Sequence, residues 1–494
     1  MPLNVKLNRR SKVDLSEQLY HSLRQLILDG ALKAGEKLPP SRELSTQLRV
    51  SRPTVAVCLE QLEQEGYLEL KHGSGTYVSS QIKSVGTAGA VRKNGSASGK
   101  KQQAGPTLSG YGKFLQQSQK VQKQSKQMEA DEPKIAFYCW RPALDQFPHG
   151  EWTRILGRHA RISASDVHDA PLDQCGETAL RKAIAGLVFR FRGVKCTAEQ
   201  VIIVSGLSQA IDLVARLHLE PGAHAVVEEP GYHHARLVFA ALGAKLHCVD
   251  VDAEGLNVSA LLKVKTPPKL VYVTPSHQFP SGQTMSLARR LELLSWAHKN
   301  STVILEDDYD SEYQKVGKPI PALMSLDKNE SVIYAGTLNQ LMFPALGLAY
   351  LVVPPGLVRV YKEARAFASA PLPPHLQNAV AQFIDEGHLD RHIKRLRSLY
   401  DERRQILLKE LQDKLPQHVT VSGAESGVFV LARIKTNLST AELVLRARQA
   451  GVGLTDTSIF YAGKARKNEY ILGFGSLNAR QIKEGVKRLA ALLK

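Results

Sequence analysis

Residues 35–79 read GEKLPPSRELSTQLRVSRPTVAVCLEQLEQEGYLELKHGSGTYVS, and this stretch decides the fold of the N-terminal part of the chain. Ser51 is a good helix N-cap, and Pro53 is tolerated in the first turn because the amide that it lacks would have no helical partner. Apolar side chains then recur at helical spacing up to Gly66 and predict the inner face of a helix: Val55, Leu59 and Leu62.

Two more helices are predicted upstream of this one. Asp14 begins a segment in which apolar residues recur at helical spacing until Gly30: Leu15, Leu19, Leu23, Leu26 and Ile27. Pro39 and Pro40 then break the chain before a short second helix, whose inward residues are Leu44 and Leu48.

A short basic hairpin is predicted downstream. Tyr67–Leu70 and Thr76–Val78 have the composition of strands, and Lys71–Gly75 connects them. Three helices followed by a hairpin describe a winged helix-turn-helix, which we assign to residues 1–80. In such a domain the third helix can enter the major groove of DNA, and the hairpin can reach the minor groove or the backbone.

Four motifs of this domain are specific: LP-x-SRELS, V-S-R-x-T-V, L-x-x-E-G and HGSGT. Over its whole length the stretch 35–79 resembles the DNA-binding domain of GntR-family regulators. The resemblance implies that the following residues contact DNA: Arg42, Ser51, Arg52, Thr54, Lys71, His72 and Gly73. Arg52 can pair with a guanine edge through two hydrogen bonds, whereas Arg42 is placed to contact a phosphate.

Two residues depart from the family pattern. Arg49 occupies a turn position at which the family usually has glycine, so we expect a strained turn. Ala56 stands where some members have another DNA-reading arginine, so the base preference cannot be copied from relatives. A winged helix that contacts only proteins is the alternative to a DNA-binding domain.

Residues 81–130 predict a flexible basic linker. Positions 81–128 contain nine lysines and arginines and no acidic residue, which is half of the chain's net charge of +18, and Gly, Ser, Gln and Ala fill most of the rest. The linker is either a solvated tether or a segment that also lies along DNA phosphates. The high net charge favours a polyanionic partner, such as nucleic acid or an anionic membrane surface.

Composition also argues against several classes of protein. No run of eighteen apolar residues predicts a membrane span, and the first thirty residues lack the apolar core of a signal peptide. The five cysteines are scattered without a CxxC pair, and the sixteen histidines form no metal-binding pattern. We therefore expect a cytoplasmic protein without a metal site and without membrane contact.

The remainder of the chain, 131–494, has an α/β pattern. Apolar runs that predict strands of a mostly parallel sheet alternate with helical stretches: Val201–Ser205, Ala225–Val227, Leu270–Val273, Val303–Leu305, Val332–Tyr334 and Leu348–Val353. We predict a large part over about 150–370 and a small part over about 371–494, to which an arm at 131–150 belongs.

The ends of these strands hold further motifs, including TPSHQFPSG at 274–282 and LEDDYDSEY at 305–313. Together they resemble the fold-type I aminotransferase domain of the MocR subgroup of GntR regulators. The resemblance implies a pocket for pyridoxal phosphate (PLP), with Asp307 at the pyridinium nitrogen and Tyr309 at the phenolic oxygen. It also implies that the following residues belong to this pocket: Ser208, Tyr232, His277 and Thr337.

The position of the Schiff-base lysine breaks the pattern. The subgroup sequence GTFSKTLFPxLRLGY aligns without a gap to GTLNQLMFPALGLAY at 336–350, so Gln340 occupies the lysine position. An amide nitrogen is not the nucleophile that attack on an aldehyde requires. Lys315 and Lys318 are the nearest upstream lysines, and nothing in the pattern directs either of them to the pocket.

Other substitutions lie at positions that contact PLP or its substrate in the family. Asn339 and Gly347 replace a phosphate-binding serine and arginine of the family, and Leu207 replaces a small or polar residue of the phosphate cradle. Ile471 stands where many aminotransferases have the arginine that holds the substrate carboxylate. The retained pocket residues either pack and form hydrogen bonds only, or they line a site for another small molecule or for weakly and non-covalently bound PLP.

We therefore interpret the chain as a regulator that binds double-stranded DNA at an operator with two half-sites. The large domain is expected to be a dimerising and effector-sensing platform with no catalytic residue and no covalently bound cofactor. The resemblance implies a homodimer arranged head to tail. Three alternatives remain: a conventional PLP-binding MocR-type regulator, a PLP-dependent aminotransferase that uses another lysine, and an architectural protein that binds DNA through charge alone.

Overall fold

The computed structural model separates the chain into two units, Met1–Thr107 and Leu108–Lys494. It describes residues 5, 7–9, 11, 13–82, 107–126, 133–161, 173–314, 321–423 and 427–493, with the side chains of 119–126 left out. No helix among these residues is long and apolar enough to cross a membrane.

The first unit is the predicted winged helix-turn-helix. Its elements are α1 (Leu15–Leu28), α2 (Ser41–Leu48), α3 (Arg52–Gln64), β1 (Leu68–Lys71) and β2 (Gly75–Val78). Asp14 caps α1, and the Ser51 hydroxyl caps α3 by accepting a hydrogen bond from the amide of Thr54 at 3.3 Å. The strands of the hairpin start and end within one residue of the predicted positions. The apolar faces of the helices meet in one core, which includes Leu19, Leu23, Leu44, Val55 and Leu62.

Arg49 ends α2 in the left-handed region, with φ 52° and ψ 43°, as expected for a position that usually holds glycine. A side chain in this region costs about 1–2 kcal/mol, so Arg49→Gly is expected to raise the free energy of unfolding of the winged domain by up to about 1 kcal/mol after the entropy of glycine is counted. Denaturant titration of the full chain measures this change. Arg49→Ala keeps the strained backbone and should bring no gain, and equal stabilisation by both variants would contradict the explanation.

Part of the predicted flexible linker is helical. The structure has α4 at Gly110–Lys126, so the prediction of an unstructured linker is wrong for these residues. Gln and Lys are good helix formers as well as common residues of solvated chains. The helical spacing of Tyr111, Phe114 and Leu115 was overlooked because the segment around it is almost entirely polar. Positions 83–106 and 127–132 lie outside the described residues.

An eight-stranded sheet forms the centre of the second unit, and it contains the six strands that the apolar runs predicted. Its order is β4, β11, β10, β9, β8, β5, β6, β7. The strands are β4 (Val201–Val204), β5 (His224–Glu229), β6 (Lys245–Asp252), β7 (Gly255–Leu256), β8 (Leu270–Val273), β9 (Val303–Asp308), β10 (Val332–Thr337) and β11 (Ala349–Val352). All neighbours pair in parallel except β11, which is antiparallel to both β4 and β10, and β7, which is antiparallel to β6.

Helices cover both faces of this sheet. They are α5 (His149–Ala160), α6 (Thr178–Arg192), α7 (Leu207–His218), α8 (His233–Ala241), α9 (Val258–Leu261), α10 (Leu287–Lys299), α11 (Leu323–Leu326), α12 (Val358–Ala368) and α13 (Pro374–Asp385). Successive strand residues pack into different cores: Ile203 lies in the same core as Ile184 of α6, and Ile202 in the same core as Tyr361 of α12. Burial of both faces explains why the strands are continuous apolar runs.

A smaller antiparallel sheet follows the long helix α14 (His388–Lys414). Its order is β12 (Val419–Ser422), β13 (Phe429–Ile434), β16 (Glu469–Gly473) and β15 (Thr455–Asp456), with helices α15 (Thr440–Gln449) and α16 (Ala479–Leu493) beside it. The predicted arm joins this part through β3 (Ile135–Ala136), which pairs in parallel with β14 (Val452–Gly453).

Candidate functional site

The predicted DNA-contacting residues of the helix-turn-helix lie at its surface. Arg42 of α2 and Arg52 in the first turn of α3 are exposed, and Thr54 is half-buried. The Ser51 hydroxyl lies 2.7 Å from that of Thr54, in addition to capping the helix. This pair fixes the start of α3, so that the side chain of Arg52 projects from a defined N-terminus whose partial positive charge favours an anionic partner.

The hairpin presents a second basic surface. Lys71, His72 and Gly73 are all exposed in its loop, and Gly73 has a φ of 73°. Two ammonium groups lie near the Tyr77 ring, with Lys71 Nζ 5.0 Å and Lys37 Nζ 5.7 Å from its centroid. Lys37 was missed in the sequence because it precedes α2 by several residues and reaches the hairpin only through a β-bridge to Tyr77.

A cavity of about 430 Å³ lies at the carboxyl ends of the central strands, which is where ligands bind in open α/β sheets. It brings together six of the seven predicted pocket residues: Ser208, Tyr232, Asp307, Tyr309, Thr337 and Gln340. The lining also includes Trp140, Tyr272, Thr274 and Phe279, which are not among the predicted pocket residues.

Asp307, near the end of β9, is the only residue of the described lining that can carry a full charge at neutral pH. Its Oδ2 accepts a hydrogen bond from the hydroxyl group of Tyr272, whereas its buried Oδ1 has no partner. Burial raises the pKa of Asp307 from 3.8 to about 7; the Tyr272 hydrogen bond opposes the rise, and the neighbouring carboxylates of Asp308 and Glu228 add to it. The direction agrees with that expected for a carboxylate that keeps its pocket without a cationic partner.

Asp307→Asn is expected to change how stability depends on pH. Because the carboxyl pKa is higher in the folded chain than the ordinary 3.8, the folded state binds a proton more tightly, and its stability falls as pH rises through about 7. The free energy of unfolding of the variant relative to wild type should therefore increase by roughly 2–3 kcal/mol between pH 5 and 8. Denaturant titrations across this range measure it, with exposed Asp413→Asn as the control; a flat difference for Asp307→Asn would contradict the assignment.

His277 is the predicted pocket residue that does not line the cavity. It is buried behind Tyr309, whose hydroxyl group donates a hydrogen bond to the His277 carbonyl oxygen at 2.8 Å. The His277 Nδ1 atom lies 2.8 Å from Asp310 Oδ2, and its ring stacks on Phe429. His277 therefore positions Tyr309 rather than facing the cavity.

Gln340 lies in the cavity wall after β10. Its side-chain Nε2 is 3.5 Å from the backbone carbonyl oxygen of Trp140. The backbone carbonyl oxygen of Gln340 accepts a hydrogen bond from the hydroxyl group of Tyr313 at 2.7 Å. The neighbouring Asn339 closes the loop, since its Oδ1 accepts a hydrogen bond from the amide of Leu348. Within the described residues, neither lysine nor arginine lines the cavity, and positions 315–320, with Lys315 and Lys318, lie outside them.

Comparisons with known proteins match each of the two units to a protein family. The family description "Bacterial regulatory proteins, gntR family" matches residues 15–78, and "Aminotransferase class I and II" matches 149–489. The chain is 34% identical to the probable rhizopine catabolism regulatory protein MocR of Rhizobium meliloti, over 98% of this chain and 94% of that protein. It is 31% identical to the pyridoxine biosynthesis transcriptional regulator PdxR of Corynebacterium glutamicum, over 96% and 95% of the two chains.

The second unit also resembles solved enzymes. The kynurenine aminotransferase of Pyrococcus horikoshii superposes with a TM-score of 0.69 at 28% identity, over 76% of this chain and 94% of that one. Similarity to the regulator extends over 98% of this chain, whereas the similarity to the enzyme covers 76% of it. The chain therefore belongs to the MocR subgroup of the GntR family of bacterial transcriptional regulators, in which a winged helix-turn-helix precedes an aminotransferase-like domain.

Proposed function

We propose that this regulator reads DNA with its winged domain and uses its aminotransferase-like domain for dimerisation and effector binding, without catalysis and without a covalently bound cofactor. The observation that carries the proposal is the composition of the cavity, in which Gln340 stands at the place of the Schiff-base lysine and no other described lining residue offers an amine. Covalent capture of an aldehyde requires such an amine.

The lining also does not fit a tightly held phosphate. A phosphate dianion is bound most strongly by arginine or by a helix N-terminus supported by cationic side chains. Here the start of α7 is flanked by neutral groups only, namely Ser208, Thr337 and Asn339, and none of the described lining residues is a lysine or an arginine. Gly347 has open space where a side chain would begin, so the phosphate-binding arginine of the family has no substitute there.

The winged domain supports sequence-specific DNA binding. Arg52 is exposed at the N-terminus of α3, and Lys71 of the hairpin together with Lys37 beside it can contact the backbone phosphates. In the proposed homodimer, which we expect to be head to tail, two such domains would contact two half-sites.

Footprinting of the full-length chain on its own promoter region, with and without added PLP, tests the proposal. We expect two protected half-sites, one helical turn of DNA or a multiple of it apart, and the same pattern in both conditions. A footprint that changes with PLP would favour a conventional PLP-sensing regulator. Sedimentation of the free protein as a monomer would contradict the dimer.

A further inference from the structure

Aromatic rings surround the cavity on several sides. We call the rings of Trp140, Tyr232, Tyr272, Phe279 and Tyr309 the aromatic cage. Neighbouring centroids in it lie 4.8–6.4 Å apart, and the rings meet at varied angles, from 26° for Tyr232 and Tyr272 to 90° for Phe279 and Tyr309. All five residues line the cavity, and a cavity lined by several aromatic rings can hold an organic cation against a ring face within about 6 Å of its centroid.

One carboxylate accompanies the aromatic cage. Asp307 is 3% exposed, and its Oδ1 is the only buried side-chain oxygen or nitrogen in the described lining without a hydrogen-bond partner. A buried acceptor without a partner is costly to leave unsatisfied, and a donor from a ligand would remove that cost. Oδ2 is taken by the Tyr272 hydroxyl group, so the carboxylate is fixed in place with one oxygen free.

The backbone of the aromatic cage is strained at one residue. Trp140 has a φ of 67°, which is rare for a bulky side chain, and its carbonyl oxygen faces the Gln340 amide. Strain of this kind persists where the surrounding structure holds it in place, and it clusters at ligand sites. The Gln340 side-chain amide therefore contacts the backbone of the strained residue, whereas a lysine engaged with a cofactor would point its amine elsewhere.

We propose that the cavity binds a small organic monocation that carries an N–H group and no phosphate. The N–H group donates to Asp307 Oδ1, and the positive charge lies against the rings of the aromatic cage. The opposite end of the ligand meets the neutral hydroxyl groups of Ser208 and Thr337, which suit an uncharged polar group. This inference rests on the proposed effector-binding role and names the chemical class of the effector.

Four probes that differ in one group test this class: benzylamine, benzyltrimethylammonium, benzyl alcohol and benzyl phosphate. Their binding to the full-length protein is measured by saturation-transfer NMR and calorimetric titration. We expect benzylamine to bind most tightly, because it alone has both the charge and the N–H group. Benzyltrimethylammonium and benzyl alcohol should each bind at least about tenfold more weakly than benzylamine, and benzyl phosphate should not displace benzylamine.

Matched variants locate the binding. Asp307→Asn should weaken benzylamine binding at least about tenfold, whereas Glu469→Gln, which removes a buried carboxylate of β16 outside the lining, should change it by less than about twofold. Tyr232→Leu should weaken binding about tenfold, and Tyr232→Phe, which keeps the π-face, should restore it. Circular dichroism checks that each variant is folded.

The outcomes separate this inference from the proposed function. No benzylamine binding, equal loss in Asp307→Asn and Glu469→Gln, or tighter binding of benzyl phosphate than of benzylamine would each overturn the inference. These results do not bear on the absence of an amine at position 340, so the proposal that the cavity binds no ligand covalently would stand. A covalent pyridoxyl group on a cavity lysine would instead overturn the proposed function.

Discussion

Replacing Arg52 by alanine is expected to lower the affinity for the operator by roughly 5- to 100-fold, or about 1–3 kcal/mol, which is the range for one bidentate contact to a base. The residue is exposed in the first turn of α3, whose start is fixed by the Ser51 cap, so its loss should not disturb the fold. Affinity for unrelated DNA should fall much less. Fluorescence anisotropy with operator and random duplexes at one salt concentration measures both quantities.

Lys71→Gln is the matched control for this prediction. Lys71 belongs to the hairpin, where it packs over Tyr77 and faces solvent. A phosphate contact should weaken binding to all sequences alike and should lower the slope of log affinity against log salt by about one. Equal, sequence-independent losses in both variants would mean that the protein binds DNA by charge alone, and the assignment of Arg52 to a base would then be wrong.

The second large effect is that one substitution should allow the cavity to bind PLP covalently. Gln340→Lys should allow the protein, incubated with excess PLP and reduced with borohydride, to retain one pyridoxyl group at residue 340. The reason is geometric, because Gln340 shares the cavity wall with Tyr232 and Asp307, and a lysine there supplies the missing nucleophile. Peptide mass mapping measures the modification.

Gln340→Met controls for side-chain length, since it is long but has no amine, and it should remain unmodified at this site. Absence of the adduct from a folded Gln340→Lys protein would show that position 340 does not face the part of the cavity beside Tyr232 and Asp307. In that case the ungapped alignment of 336–350, and with it the explanation of the lost cofactor, would be wrong.

The sequence predicted the framework because local patterns determine it. Asp14 and Ser51 cap helices where short polar side chains precede apolar periodicity, and both are observed as caps. The six predicted strands are buried on both faces, so each stands out as an apolar run. Strand β6 (Lys245–Asp252) was missed because most of its residues are half-buried or exposed, which breaks the apolar run.

The cavity was predicted only where motifs marked it. Asp307 at the end of β9 and Tyr309 directly after it were found. Trp140 belongs to the arm, far away in sequence, and only tertiary packing brings it to the cavity. Tyr272 lies inside a fully buried strand, where an aromatic residue is expected for packing alone. His277 was placed in the cavity by its motif, yet its contact with Asp310 turns it behind Tyr309; sequence spacing carries no information on that orientation.

The most direct test of the central claim uses the wild-type protein. Full-length protein is incubated with PLP, reduced with borohydride, digested, and mapped by mass spectrometry across all lysines, including Lys315 and Lys318. We predict only partial modification of solvent-exposed lysines, with no residue carrying a stoichiometric pyridoxyl group. A stoichiometric adduct on a single lysine would contradict the description of this domain as a non-covalent effector site.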